Sequence, residues 1–125
     1  MERPRPDRRE IGRRAEDVAA EFLVRHGLTI LTRNFRRRLG ELDLVAREGD
    51  VLVVAEVRTR SSDEYGGAAA SVDGWKRRRI VRATLQLLQR HRDLSRLRVR
   101  FDVIVVSDPF GAIPKVEWIR HAFEA

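Results

Sequence analysis

The amino-acid sequence predicts an α/β domain: a mixed β-sheet flanked by helices, with elements in the order αβββαβ. Three observations lead there. Two segments, 9–26 and 73–91, repeat apolar residues at helical spacing. Three short apolar segments lie between them, broken by turn residues. After the second helix, RVRFDVIVV (98–106) is apolar almost throughout, as suits a central strand covered on both faces.

Residues 1–8 are rich in Pro and Arg and are expected to form a disordered tail, leaving 9–125 as a single domain. The first helix runs from about Arg9 to His26, with Ile11, Ala15, Val18, Ala19 and Phe22 on one stripe and Gly27 as its C-cap. At about 100° per residue, Glu10, Asp17 and Glu21 lie opposite that stripe. Glu16 sits at its edge, beside Gly12 and Leu23, and is the acid of this helix aimed toward the body of the protein. LTILTRNF (28–35) reads as a first strand, with Arg36, Arg37 and Arg38 in the loop after it. Leu42–Ala46 and Val51–Thr59 are the next strands, joined by a hairpin turn within REGD (47–50). SSDEYGG (61–67) is a polar loop of mobile character. The second helix, Asp73–His91, would bury Ile80, Val81, Thr84, Leu85, Leu87 and Leu88. DPFGAIP is a turn, and Val116–Ile119 a last short strand with a frayed helical end.

Composition narrows the function classes. The chain has 125 residues, enough for one core without staples, and no cysteine, which removes disulfides and thiolate metal sites and fits a reducing compartment. No apolar run reaches the ~18 residues of a membrane span. The N-terminus lacks the apolar stretch of a signal peptide, so a cytoplasmic location is expected. Lys and Arg number 26 against 19 Asp and Glu, a net charge of +7 and a pI near 11.2. That is the electrostatic footprint of a nucleic-acid binder, though many small proteins are basic. Only Lys76 and Lys115 are lysine. Arginine grips phosphate through a planar fork.

The chemistry concentrates in GELDLVAREGDVLVVAEVRTR (40–60). A two-residue turn at Glu48-Gly49 would set Val54 opposite Asp43 and Glu56 opposite Glu41. Glu41, Asp43, Val54, Glu56 and Arg58 would then share one face, with Asp43 and Glu56 diagonal neighbours roughly 7–8 Å apart at the backbone. A single bulge would move one set to the other face. Converging carboxylates repel, so either basic side chains or a cation must neutralise them. The residues leave both open: a structural network of the acids with Arg58 and Arg60, or a hard divalent cation, Mg²⁺ or Mn²⁺, held by carboxylates beside a phosphate.

GELDLVA followed by VAEVRTR, placed after a helix carrying GRRAEDVAA, resembles the YraN family of the PD-(D/E)xK nuclease superfamily, which is similar to archaeal Holliday junction resolvases. The resemblance runs from about Glu10 to Phe123 and includes YGGAAASV (65–72), GWKRRR, RFDVIVV and VEWIRHAF. It implies a restriction-endonuclease-like core, with Glu16, Asp43 and Glu56 as metal ligands. The hairpin and the helical wheel single out the same three acids. The departure is Arg58, where the superfamily signature has lysine. Lysine can release a proton and orient an attacking water, whereas arginine stays protonated at any working pH and is left to hold phosphate or developing negative charge. Lys76, in the first turn of the second helix in line with Ile80 and Thr84, is a candidate replacement; its other reading is a surface lysine at a helix start.

The resulting expectation is a Mg²⁺- or Mn²⁺-dependent endonuclease-like protein acting on DNA. Branched or recombining DNA, and a homodimer, follow by similarity to the resolvases. Arg36–Arg38 and Arg77–Arg79 would follow the nucleic-acid backbone, selecting shape rather than sequence. Two readings stand beside it: a nuclease fold that binds nucleic acid without cutting, and a basic adaptor for an acidic protein. Asp102 is assigned a structural role. His26, His91 and His121 show no metal spacing. Trp75, Tyr65 and Trp118 could stack on bases, although packing is the commoner fate of aromatics. No glycine-rich phosphate loop is present, so ATP is not implied.

Overall fold

A computed structural model describes residues 4–60 and 71–125. The SSDEYGG loop, Tyr65, most of the YGGAAASV motif and the first residues of the expected tail lie outside the described residues. Helix α1 (Arg8–Arg25) opens where the Asp7 side chain accepts the Glu10 backbone N–H at 2.9 Å, and Gly27 closes it in the left-handed region at φ 89°. Strands β1 (Thr29–Arg37), β2 (Gly40–Glu48) and β3 (Val51–Arg60) form an antiparallel meander. Helix α2 (Gly74–Arg90) starts at Asp73, whose side chain accepts the Lys76 N–H at 2.8 Å. A 3₁₀ turn (Arg92–Arg96) leads into β4 (Arg98–Ser107), which pairs parallel to β3, and β5 (Lys115–Phe123) closes the sheet antiparallel to β4. The strand order β1-β2-β3-β4-β5 makes a mixed sheet with α2 as the crossover between its parallel strands.

The two helices cover opposite faces. Ala15, Val18, Ala19 and Leu23 of α1 pack on Leu44, Val53, Ala55, Ile104 and Val106. Ile80, Ala83 and Leu87 of α2 pack on Leu42, Val45, Val54, Val103 and Val105. Strand β4 feeds both layers, which explains its unbroken apolar run. Each large aliphatic side chain buried this way contributes about 1.5–3 kcal/mol. Gly40 admits a particularly close approach: a Cβ there would collide with the backbone carbonyl of Arg79 in α2.

Four sequence expectations are corrected. Arg36 and Arg37 are not loop residues; they extend β1, opposite Glu41 and Gly40, and the turn is the pair Arg38-Leu39. Strand β5 continues to Phe123 instead of ending in a helix, because Phe123 pairs with Phe101 beyond a bulge and their rings stack at 5.0 Å. Leu85 is 55% exposed, and Ala83 lies on the buried stripe in its place.

The fourth concerns the hairpin. Its turn is Gly49-Asp50, with Gly49 at φ 58°, so Val54 faces Val45 rather than Asp43. An offset of two preserves the faces of β3. In β2, however, the alternation breaks at Asp43. Leu42 and Val45 both enter the α2-side core, while Leu44 and Ala46 enter the α1-side core. Asn34, in the neighbouring stretch of β1, adopts the left-handed region at φ 52°, and no pair joins it to Asp43 between Arg33↔Leu44 and Phe35↔Leu42. The carboxylates therefore meet at an irregular fork and not on one face of a regular ladder.

Candidate functional site

The β2–β3 ladder runs from Glu48↔Val51 to Leu44↔Ala55. Past that pair, a side chain replaces the ladder: the Val57 N–H donates to Asp43 Oδ2 at 2.9 Å. The same opening draws residues from both helical layers around a cavity of about 320 Å³. Gly12, Ala15 and Glu16 come from α1, Glu41 and Asp43 from β2, Glu56 through Thr59 from β3, and Lys76 from α2. The α1 stripe aims Glu16 inward, and the Asp73 cap fixes the first turn of α2 from which Lys76 reaches.

Glu56 is 6% exposed. Lys76 Nζ stands 2.6 Å from its Oε1, and Arg58 Nε 3.9 Å from the same oxygen. Only the lysine is within hydrogen-bonding distance. Among the described residues, the buried Arg58 Nε has no hydrogen-bond partner, nor has the buried Glu16 Oε1. Burial pushes the Asp43 carboxyl up to about 8, helped by the adjacent Glu56 charge and opposed by the Val57 N–H. Burial also raises Glu16; Arg33, a hydrogen bond from Asn34, and Arg36 work against it. Asp43 and Glu56 are thus neighbouring acids, and the Glu56 charge beside Asp43 makes an added positive charge favourable there.

The structure accordingly brings together Glu16, Asp43, Glu56, Arg58 and Lys76 around one cavity. The donor set suits a hard divalent cation of the Mg²⁺ or Mn²⁺ type, which takes one or two carboxylates and completes its shell with waters and phosphate oxygens. Asp43 and Glu56 could supply the two carboxylates, and a Glu16 oxygen without a hydrogen-bond partner among the described residues belongs to the same cavity. Among the described residues, no three acidic, histidine or cysteine side chains are gathered closely enough to form an all-protein cation cage.

The six candidate phosphate-contacting arginines divide. Arg36 lies 3.4 Å from Glu41, and Arg37 covers the Phe35 ring and donates to the Arg36 carbonyl. Arg77 donates to the Val72 carbonyl at 2.6 Å and reaches over Phe123, and Arg79 stacks on Trp75. Arg38 and Arg78 are exposed, the first in the β1–β2 turn and the second on α2.

Asp102 is fully buried and accepts four hydrogen bonds: two from Arg100 at 2.9 Å, one from Trp118 Nε1 at 2.8 Å and one from the His121 N–H at 2.9 Å. Those bonds tie β4 to β5 and account for the acid without a catalytic role. Trp118 also packs edge-on against Phe22 and His26, so its ring belongs to the α1 interface. Sequence reasoning missed Asn34 as the Glu16 partner. Its signal is slight: asparagine is among the few residues that tolerate a left-handed backbone within a strand.

The five-stranded mixed sheet, its two helical layers and the acid–lysine cavity at the hairpin fork define an αβββαβ nuclease-like core. Over residues 15–106 the chain matches the family described as Uncharacterised protein family UPF0102, and it belongs to that family, the YraN family whose motifs it carries. A UPF0102 protein of Alkalilimnicola ehrlichii is 47% identical over 93% of this chain and 88% of its own length. One from Methylococcus capsulatus is 49% identical over 91% of this chain and 90% of its own. One from Frankia casuarinae is 50% identical over 90% and 95%. No helix among the described residues is long and apolar enough to cross a membrane.

Proposed function

We propose that this protein is a metal-dependent endonuclease acting on DNA phosphodiester bonds, with branched or recombining DNA as its substrate. The observation that carries the reading is the buried Glu56 paired at 2.6 Å with Lys76 and set beside the proton-holding Asp43. A structural ion pair needs no second, half-buried acid next to it, whereas a phosphodiester site uses both acids and a cation. The +7 charge adds a sequence-independent attraction for the polyanion.

In this reading Asp43 and Glu56 would hold Mg²⁺ or Mn²⁺, and Glu16, across the same cavity, would act on the cation through its water shell. The cation, when bound, supplies Lewis acidity at the phosphate and an acidified water. Asp43, once deprotonated, would be one of the two carboxylates able to hold the cation. Lys76 then swings its ammonium from Glu56 toward a phosphate oxygen or the attacking water, which the Arg58 position no longer serves. Arg58 faces the same oxygen from the strand and neutralises charge on the phosphate. Arg38 and Arg78 contact the flanking backbone, and Arg36, Arg37, Arg77 and Arg79 do so where DNA displaces their present partners. A homodimer would suit paired cuts in a junction.

The test is incubation of the whole chain with linear duplex, single-stranded and four-way-junction DNA in Mn²⁺, with Asp43→Ala and Glu56→Ala as controls. Metal-dependent cleavage abolished by both substitutions is expected. Arg58 in the signature position motivates the second reading, a nuclease fold that binds nucleic acid without cutting it. Salt-dependent binding with no cleavage, unaltered by either substitution, would establish that reading instead.

A further inference from the structure

Trp75 is 63% exposed, the most exposed aromatic ring among the large apolar side chains left on the surface. Burying an indole is normally strongly favourable, so an open one at a functional edge asks for a partner. Its position is informative. Trp75 directly precedes Lys76, so their Cα atoms are about 3.8 Å apart, and Lys76 Nζ touches Glu56 at the cavity. The Arg79 guanidinium lies 4.9 Å from the centre of the indole, one turn along the same helix. A single guanidinium covers one face of the ring system. The result is an aromatic plate, backed by a cation, on the first turn of the helix that delivers Lys76 and on a face adjacent to that lysine, outside the cavity lining itself.

We propose that Trp75 is a positioning residue that stacks on an unpaired base next to the phosphate held at Glu56 and Lys76, so that the site prefers DNA with a single-stranded or locally unpaired segment. This rests on the reading of the cavity as a phosphodiester site. The chemistry is direct. Every base offers a π-face, stacking on an aromatic side chain is tolerant of sequence, and a base inside a duplex has both faces occupied by its neighbours. A duplex would therefore contact Arg38 and Arg78 but leave the indole unused. An opened strand would use both. Arg79 steadies the indole from behind and adds charge near the sugar-phosphate chain.

The experiment measures affinity of the whole chain for labelled single-stranded, forked and fully paired DNA of about 16 nucleotides, in Ca²⁺ so that binding is read apart from cleavage. Trp75→Ala is expected to weaken binding of single-stranded and forked DNA by roughly 5- to 150-fold and to leave duplex affinity within about threefold. Trp75→Phe should retain most of the affinity while losing the quenching of tryptophan emission that stacking produces in the parent protein. Equal affinities of parent and Trp75→Ala for all three DNAs would overturn the proposal and leave the nuclease reading intact, as would an equal loss on all three. Failure of the parent protein to bind any of the DNAs would remove the nuclease reading, and the proposal with it.

Discussion

Lys76 Nζ lies 2.6 Å from Glu56 Oε1, although the two residues belong to different elements, α2 and β3, and Arg58 on the same strand comes no closer than 3.9 Å. The ammonium that pairs with Glu56 thus arrives from the helix, while the strand offers only a guanidinium. Lys76→Ala should lower cleavage by roughly 10²- to 10³-fold, the range for removing one positioned group that stabilises developing negative charge. DNA affinity should fall far less, since one cation among many is lost. Parallel measurement of cleavage rate and binding constant separates the two, and undiminished cleavage would sink the role assigned to Lys76.

Asp43 makes the metal-free protein sensitive to pH. Its folded-state carboxyl stands at about 8 against an ordinary value of 3.8, so the native state keeps a proton that the unfolded chain releases. The sign follows: stability is fully present at low pH and is lost as pH rises from about 4 through about 8. Glu16 is shifted in the same direction. Urea denaturation in EDTA should therefore give a protein weaker at alkaline than at mildly acidic pH, by an amount on the order of a few kcal/mol. Asp43→Asn should flatten that slope and be the more stable protein at alkaline pH. A slope unchanged by the substitution would place the titration elsewhere.

The difference between what the sequence told and what it did not lies in the range of the forces involved. Helix and strand positions were legible because they rest on local periodicity, and Asp7, Gly27, Gly49 and Asp73 mark their ends. Asp43 and Glu56 were legible because an apolar strand makes a carboxylate conspicuous, and Glu16 because the helical wheel sets it at the edge of the α1 stripe. The two-residue slip of the hairpin was not, since Glu48-Gly49 and Gly49-Asp50 are both acceptable turns and tertiary packing chooses between them. Nor was the break at Asp43, which depends on Asn34 across the sheet. The site residues still line one cavity despite the different register, because an even slip keeps Glu56 and Arg58 on their face and the break at Asp43 turns that side chain toward the Val57 N–H.

A bound cation should relieve the strain that the acids place on the fold. Mn²⁺ at 100 times its dissociation constant would add about 2.7 kcal/mol, and the gain should grow as pH rises and Asp43 loses its proton. The readout is the melting temperature with and without metal within each variant, because Glu56→Gln also leaves Lys76 without its partner. Glu56→Gln should erase most of the metal increment. An increment equal in parent and variant would move cation binding away from Glu56.

Asp102 offers the opposite test. It accepts bonds from Arg100, Trp118 and His121 and has no opening to the cavity. Asp102→Ala takes one carboxylate from the half-buried Arg100, which keeps Glu48 at 3.0 Å, and leaves the Trp118 and His121 N–H groups without this acceptor, at about 1–3 kcal/mol for each group left unsatisfied. Cleavage per folded molecule and the Mn²⁺ increment should stay near those of the parent. Loss of activity in protein shown to be folded by far-UV circular dichroism would give this acid the catalytic part that its bonding argues against.

Gly40 links the packing to the chemistry. Its missing Cβ is what lets the start of β2 approach the Arg79 carbonyl, and backbone cannot move aside as a flexible side chain can. Gly40→Ala must push α2 away from the sheet, at about 1–3 kcal/mol for overpacking. Lys76 rides on the same helix, one turn before Arg79, so its ammonium should withdraw from Glu56. Cleavage should then fall more steeply than DNA affinity, the same split as in Lys76→Ala but with the lysine still present. Gly12→Ala is the contrasting change: a Cβ there meets nothing within 4 Å, and helix propensity alone should stabilise α1 by up to about 1 kcal/mol. Thermal denaturation of both variants beside their cleavage rates decides it. A Gly40→Ala protein that is as stable and active as the parent would show that the α2–sheet spacing does not set the Lys76–Glu56 distance.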